Sequence, residues 1–393
     1  MKIKGFRFSA VEAAIKKPGR LDLGLIFSET PAAVAAVYTT NRVKAAPVIL
    51  SMERTAKGTA RALVVNSGNA NACTGRKGLD DAREITRLVA EGLGIPDESM
   101  LIASTGVIGV PLPMDRIRKG IAPLIEGVST GPLDGVAGAI MTTDTFQKLE
   151  KRTGIADGRP YTIAGIAKGA GMIMPNMATM LAFIVTDAAV DPAWLDRVFR
   201  EANDSSFNMI TVDGDTSTND CSIIMANGAA GNMPISSGSP DAPLFLSLLN
   251  EVLSELARMI VKDGEGATKF VTVSVRGAVS SAEAKRAAMA IANSSLVKTA
   301  FFGQDANWGR ILAAVGYSGS QVDPDLADLF FDDVPMARNG VFAGGDAEAL
   351  GSEVIKKPEF TVTVDLKLGE GKATVYTSDL SYDYVKINAD YRT

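Results

Sequence analysis

Apolar residues recur along the chain at two periods, and the switches between them outline its elements. Ala82, Ile85, Leu88, Val89 and Leu93 follow Asp80-Asp81 at helical spacing, and Ile117, Ile121, Leu124 and Ile125 mark a second helix. Asp191 is a good N-cap with Pro192 at the first helical position; Trp194, Leu195, Val198, Phe199 and Ala202 supply the buried face of that helix. Residues 240–262 predict another long amphipathic helix. Strand-like runs lie between the helices. ARALVVNSGNANA and MLIASTGVIG each read as a short apolar strand ending in a turn of Asn, Ser, Thr or Gly. KFVTVSVRG alternates, with Phe270 on one phase and Val271, Val273 and Val275 on the other. FTVTVDLKLGEGKATVYTSDL predicts a hairpin turning at Gly369-Glu370-Gly371, hence an antiparallel sheet in the second half. Helices mixed with such strands imply an α+β fold of layered helices and mixed or antiparallel sheets.

Composition then removes whole classes of chemistry. The 393 residues include no histidine and two cysteines, Cys73 and Cys221. No Ser-His-Asp or Cys-His relay can be built, and no histidine can ligate zinc or act as base near neutral pH. A nucleophile here needs another base: a perturbed lysine or carboxylate, or the α-amine of an N-terminal Ser, Thr or Cys, whose ordinary pKa is about 7.7–8.0. A hydrophobic share of 46%, a charged share of 22% and a formal charge of −5 describe a globular chain of two or three packed units. Lys and Arg are scattered, so nothing marks a nucleic-acid or membrane surface, and small-molecule partners are expected. MKIKGFRFSA lacks the apolar core of a signal peptide, and no apolar run approaches membrane-spanning length, so a cytoplasmic location is expected.

Within GMIMPNMATMLAFIVTDA, Pro175-Asn176 forms a turn signal and Thr179 opens the run Met180–Val185. On residue type alone Thr179 is an ordinary β-branched strand opener. The stretch 213–220, DGDTSTND, alternates oxygen ligands like a calcium loop, yet Thr218 stands where that loop needs glycine and Ile224 where it needs glutamate. A hydrogen-bonded turn is expected there. In KDGEGATK, Glu265 sits between two glycines, where backbone can approach a ligand closely. STGVIG offers a Thr105-Gly106 step at a strand end, able to turn a backbone N–H toward a developing oxyanion. MTTDT can equally be a helix end, and Lys168 in AKGAGM a solvated strand-end charge.

Taken in order, YTTNRVKAAPV, VVNSGNANACTG, STGVIGVPLP, MTTDT, AKGAGMIMPNMATMLAFIVTDA, DGDTSTND, DGEGATKF, FFGQDANWGRI and KINADYRT span nearly the whole chain. Together they resemble the ornithine acetyltransferase family. The resemblance implies a precursor that cuts itself between Ala178 and Thr179, leaving an α chain of 1–178 and a β chain of 179–393. Thr179 then becomes an N-terminal nucleophile. It implies a ping-pong transfer of acetyl from acetylornithine to glutamate through an acetyl-threonine enzyme, with no metal and no organic cofactor. By the same resemblance Thr105 and Gly106 form the oxyanion hole. Thr142, Lys168, Thr179, Glu265, Asn388 and Thr393 contact substrate, with Thr143 adjacent to Thr142 as an alternative. Charge suggests that Glu265 pairs with the ornithine amine while Lys168 and the polar terminal residues serve carboxylates. The family fold is similar to that of the N-terminal-nucleophile hydrolases but topologically distinct, and an α2β2 heterotetramer is expected. Family members divide into those that also accept acetyl-CoA and those that only recycle acetyl, and no residue here decides between them. Two other readings stay open: a self-cleaving aminopeptidase with water as acceptor, and an uncleaved amino-acid-binding protein.

Overall fold

The computed structural model describes residues 1–129, 131–174 and 180–390. They form two compact units interleaved in sequence. The first takes Met1–Gly169, the described part of Pro175–Asn208, and Asp215–Ile260; the second takes Ala170–Met174, Met209–Gly214 and the described part of Val261–Thr393. Each unit therefore draws on sequence from both sides of the 178/179 bond.

The first unit is organised by a mixed sheet of β1 (Phe6–Val11), β2 (Leu23–Tyr38), β3 (Thr59–Asn66), β4 (Met100–Ser104), β5 (Lys148–Ala156), β6 (Arg159–Lys168), β7 (Leu181–Thr186) and β9 (Cys221–Ala226); β8 (Ile210–Thr211) belongs to the second unit. The order is β4-β3-β2-β9-β7-β6-β5, with β1 also paired to β2. The 16-residue β2 makes this possible, because its first half pairs with β1 and β3 and its second half with β9. Its register shifts between Phe27 and Ala32, where Pro31 could not have donated to a regular ladder. β7 is buried at all six positions, as a central strand parallel to β9 and antiparallel to β6 must be.

Helices cover this sheet. Ile85 and Val89 of α2 (Gly75–Leu93), with Ile117, Ile121 and Leu124 of α3 (Met114–Glu126), pack with Leu25, Val64 and Ile102, beside α1 (Ala46–Thr55). The alternate strand residues, Ile26, Val65 and Leu101, pack with α4 (Leu133–Ile140). The second helix begins before the predicted Asp80-Asp81 start, because Gly78 lets its first turn close on Thr74 and Asn71; a Cβ there would lie 1.9 Å from Thr74 Oγ1. In α5 (Pro192–Ser205) the Asp191 carboxylate accepts the Trp194 N–H at 2.9 Å, as the sequence predicts. The long helix α6 (Ala242–Lys262) sets Phe245 against Tyr161 and Trp194.

The second unit is a sheet of order β13-β12-β11-β14-β10-β15-β8, containing β10 (Phe270–Ala278), β11 (Asp328–Phe331), β12 (Val334–Arg338), β13 (Val341–Phe342), β14 (Glu359–Asp365) and β15 (Gly371–Ser378). The predicted hairpin is overturned. β14 and β15 do not pair; β10 lies between them, parallel to β14 and antiparallel to β15. Val271, Val273 and Val275 are wholly buried, and placing β10 centrally pairs both of its edges while its valines enter the core with Val362, Val364 and Val375. That core is closed by α7 (Ser281–Asn293), α8 (Ser295–Phe302), α9 (Trp308–Gly316) and α10 (Ala347–Lys356); α11 (Tyr382–Ala389) ends the described chain. No described helix is long and apolar enough to cross a membrane.

Candidate active site

In the first unit the Asn-rich turn after β3 builds a rigid seat for the Thr105-Gly106 step. Asn66 donates to Asn69 O at 2.9 Å, Asn69 Oδ1 accepts the Asn71 N–H at 2.8 Å, and Asn219 reaches Ala70 O and Ser104 O at 2.6 and 2.8 Å. Gly106 has φ 133°, and a Cβ there would lie 2.3 Å from the Gly68 carbonyl carbon. Only glycine fits so close to that turn. The Thr105 N–H is consumed by Asn66 O at 3.0 Å, whereas the Gly106 N–H has no acceptor among the described residues.

Lys168, at the end of β6, is 6% exposed and donates to Thr105 Oγ1 at 3.3 Å. A solvated strand-end charge would not be buried so far; the reason it can be is Asp144. That carboxylate accepts from Lys148 Nζ at 2.7 Å, with both side chains inaccessible to solvent, from the Gly169 N–H at 2.7 Å and from the Thr142 N–H at 2.9 Å. Burial alone would raise the Asp144 carboxyl, but the Lys168 and Lys148 charges, with the hydrogen bonds, hold it down at about 2. MTTDT is therefore more than a helix end: its aspartate fixes the backbone at Thr142 and at the residue following Lys168. The Thr142 carbonyl faces Arg20 Nη1 at 3.4 Å.

In the second unit Glu265 is 8% exposed, and its Oε2 accepts from Asn388 Nδ2 of α11 at 2.9 Å. Its N–H donates to Ala170 O at 2.8 Å, and a Cβ on Gly171 would lie 2.2 Å from Oε2, so the carboxylate rests against bare backbone. Asp379 secures the following turn by accepting the N–H groups of Thr268 and Lys269 at 2.8 and 3.0 Å. Ser381, the N-cap of α11, donates to Gly266 O at 2.6 Å. DGDTSTND is a hydrogen-bonded turn: Asp213 accepts the N–H groups of Met172 and Ile173, and Ser217 Oγ accepts that of Asn219. Ala178, Thr179 and Thr393 lie outside the described residues.

The family profile described as the ArgJ family matches residues 7–393. The chain belongs to the ArgJ family. It is 75% identical over 393 residues, covering 100% of both chains, to a Geobacter sulfurreducens protein described as "Arginine biosynthesis bifunctional protein ArgJ". A Syntrophotalea carbinolica protein of the same description is 54% identical, again over 100% of both chains. Among solved structures, an ArgJ crystal structure from Bacillus halodurans is 40% identical, with TM-score 0.52, over 54% of this chain and 99% of that chain. The resemblance read from the ordered motifs is thus that of a family member over its whole length.

Sequence reasoning missed the buried residues that hold these family motifs in shape. Asp144 and Lys148 stand four apart, but in a loop and at the start of β5 rather than on a helix, where that spacing would mark an ion pair, and Lys298 carries no signal at all. Lys298 is 3% exposed and donates to Thr377 Oγ1 at 2.9 Å and to the Ser378 carbonyl. Burial pulls its ammonium down to about 7, against the opposing pull of Asp379 and Asp213.

Two outcomes follow for stability. Asp144→Asn should cost about 3–5 kcal/mol near neutral pH by leaving Lys148 buried without its counter-charge. A carboxyl lowered by folding stabilises above its unfolded pKa and loses that contribution as pH falls from 3.8 to about 2, so the gap to wild type should shrink over that range in urea unfolding. Lys298 gives a slope of the same sign in a higher window: its pKa is also lowered by folding, so above about 7 the unfolded chain holds the extra proton and stability rises with pH. Burial raises the Cys221 thiol and the Tyr38 phenol, which favours unfolding only at higher pH. Between pH 7 and about 8.5 wild type should gain about 2 kcal/mol from this lysine. In Lys298→Met that gain should vanish from the urea midpoints.

Proposed function

We propose that this chain transfers the acetyl group of N2-acetyl-L-ornithine to L-glutamate, yielding L-ornithine and N-acetyl-L-glutamate in arginine biosynthesis. The observation that carries the reading is the end-to-end 75% identity to an arginine-biosynthetic ArgJ protein. The description of that relative as bifunctional supports a second activity, synthesis of N-acetylglutamate with acetyl-CoA as donor. No metal or organic cofactor takes part in the transfer, the location is cytoplasmic, and the assembly is an α2β2 heterotetramer.

The chemistry begins with self-cleavage. The Thr179 hydroxyl adds to the Ala178 carbonyl carbon, the Ala178–Thr179 C–N bond breaks, and the chain passes from nitrogen to oxygen. Water hydrolyses the resulting ester, leaving an Ala178 carboxylate and a Thr179 with free amine and hydroxyl. The Bacillus halodurans crystal chain supports this, since almost all of it aligns to just over half of the present chain, and a fragment starting at Thr179 is likewise just over half.

In the mature enzyme the Thr179 amine takes the hydroxyl proton as Oγ attacks the acetyl carbonyl; an α-amine titrating at about 7.7–8.0 suits that work in a chain without histidine. The Gly106 N–H, without a competing acceptor among the described residues, and the Thr105 hydroxyl donate to the oxyanion. Because Thr105 Oγ1 accepts from Lys168, its own proton is left for that donation. Collapse of the intermediate releases ornithine, whose departing nitrogen takes the proton. The glutamate amine then attacks the acetyl ester and regenerates Thr179. Glu265, steadied by Asn388, pairs with the ornithine side-chain ammonium; Lys168, Thr142 and Thr393 serve the remaining polar groups.

Intact mass under denaturing conditions should find two fragments, one beginning TMLAF, and Thr179→Ala should leave a single inactive chain. A single wild-type chain with full transferase activity would rule out the amine as base. Glu265→Gln should raise the KM for acetylornithine about tenfold or more while the chain is still cut. An unchanged KM with cleavage abolished would remove Glu265 from substrate binding.

A further inference from the structure

Phe270, which opens β10, is paired with Ser378, which closes β15, so the chain before the one strand and the chain after the other leave the sheet side by side. Glu265 lies in the first of these segments and Ser381 in the second. Next to the strands Asp379 joins the two through the N–H groups of Thr268 and Lys269. Further out the Ser381 hydroxyl takes over. It donates to Gly266 O at 2.6 Å and accepts the Tyr384 N–H at 3.4 Å, so one oxygen both ties down the glutamate loop and caps α11. Loop and helix meet backbone to backbone: Gly266 has φ 67°, and a Cβ there would lie 2.5 Å from the Tyr384 nitrogen.

α11 has little else to hold it. None of its eight residues is buried, and a helix so short is marginal without an apolar face to pack. Its other attachments are the Tyr384 hydroxyl on Asp213 at 3.2 Å, the Tyr382 ring edge-on to Phe302 at 5.4 Å, and Asn388 Nδ2 on Glu265 Oε2 at 2.9 Å. Asn388 Nδ2 also donates to Tyr384 O at 3.0 Å, so the helix sets the direction of that amide. Among the described residues Glu265 Oε1 accepts no hydrogen bond, which leaves it for a ligand.

We propose that Ser381 is a positioning residue for the cationic end of the substrate: its hydroxyl ties the Glu265 loop to α11, so that the free oxygen of Glu265 is held in one place for the side-chain ammonium. The proposal rests on the reading of Glu265 as the partner of the ornithine ammonium and adds what fixes that carboxylate. Without the Ser381 hydroxyl, Gly266 O loses its donor and the first turn of α11 its cap. Asn388 then no longer stands at a set distance from Glu265, and the carboxylate must be ordered again each time a cation binds.

The test measures kcat/KM for acetylornithine and for glutamate separately in the full-length protein. Ser381→Ala should lower the value for acetylornithine about five- to tenfold and leave that for glutamate, which brings no side-chain cation, within about twofold. Ser381→Thr keeps the hydroxyl and should stay within about twofold of wild type for both. Ser381→Asp supplies an acceptor for the cap but no donor for Gly266 O, so it should behave as Ser381→Ala; it carries the same comparison if the alanine variant does not fold. In a Glu265→Gln background Ser381→Ala should cost less than about twofold more, because its effect passes through Glu265. Recovery of acetylornithine turnover by Ser381→Asp overturns the proposal, since the residue would then be a helix cap alone. So does an equal loss for both substrates, or an undiminished loss in the Glu265→Gln background. A normal loss in Glu265→Gln with none in Ser381→Ala overturns this proposal by itself, whereas a Glu265→Gln enzyme with wild-type kcat/KM for acetylornithine overturns the reading of Glu265 and this proposal with it.

Discussion

A buried carboxylate must find donors for all its lone pairs, and each unit of this protein turns that requirement into order at a functional motif. In the first unit Asp144 gathers Lys148, the N–H groups of Thr142 and Gly169, and the field of Lys168. In the second, Asp379 takes the N–H groups of Thr268 and Lys269 beside Glu265, and the half-buried Asp213 adds those of Met172 and Ile173. Removing any one carboxylate would strand backbone donors or a buried cation, a larger loss than most surface contacts could cause. These acids make the loops behave as parts of the sheets that carry them.

That order matters because the chemistry is sparsely equipped. With no imidazole in the chain, the base has to come from the nucleophile's own amine, a lysine or a carboxylate. In the proposed mechanism the oxyanion donors are a backbone N–H at Gly106 and a hydroxyl at Thr105, weak individually, whose worth depends on being already aimed when charge develops. The asparagines of the turn after β3, together with the close approach that only glycine permits at Gly106, provide the aim.

How much of this was legible in the sequence followed from how local each determinant is. The α5 helix was, because its cap, its first-turn proline and its apolar face all lie within one short stretch. Strand β10 was too, from its valine alternation. The separation of β14 from β15 was not, because a Gly-rich turn specifies that the chain reverses and says nothing about a third strand entering between the two arms. The motifs around Thr105, Lys168, Glu265 and Asn388 were found through family resemblance. Their supports escaped notice because a buried Asp144 or Lys298 looks, in one sequence, like any surface charge. Lys168 shows the same limit: its 6% exposure depends on Asp144, which stands 24 positions earlier.

The account turns on a covalent acetyl-threonine at a newly made chain terminus. The most direct measurement mixes cleaved protein with acetylornithine in the absence of glutamate and weighs the fragment that begins at Thr179. The account predicts a gain of one acetyl group, located by peptide mapping on Thr179, with one equivalent of ornithine released, and loss of the label when glutamate is added. A fragment of unchanged mass in an enzyme that still makes N-acetylglutamate would mean that acetyl passes directly between substrates, and would contradict the central role given to Thr179.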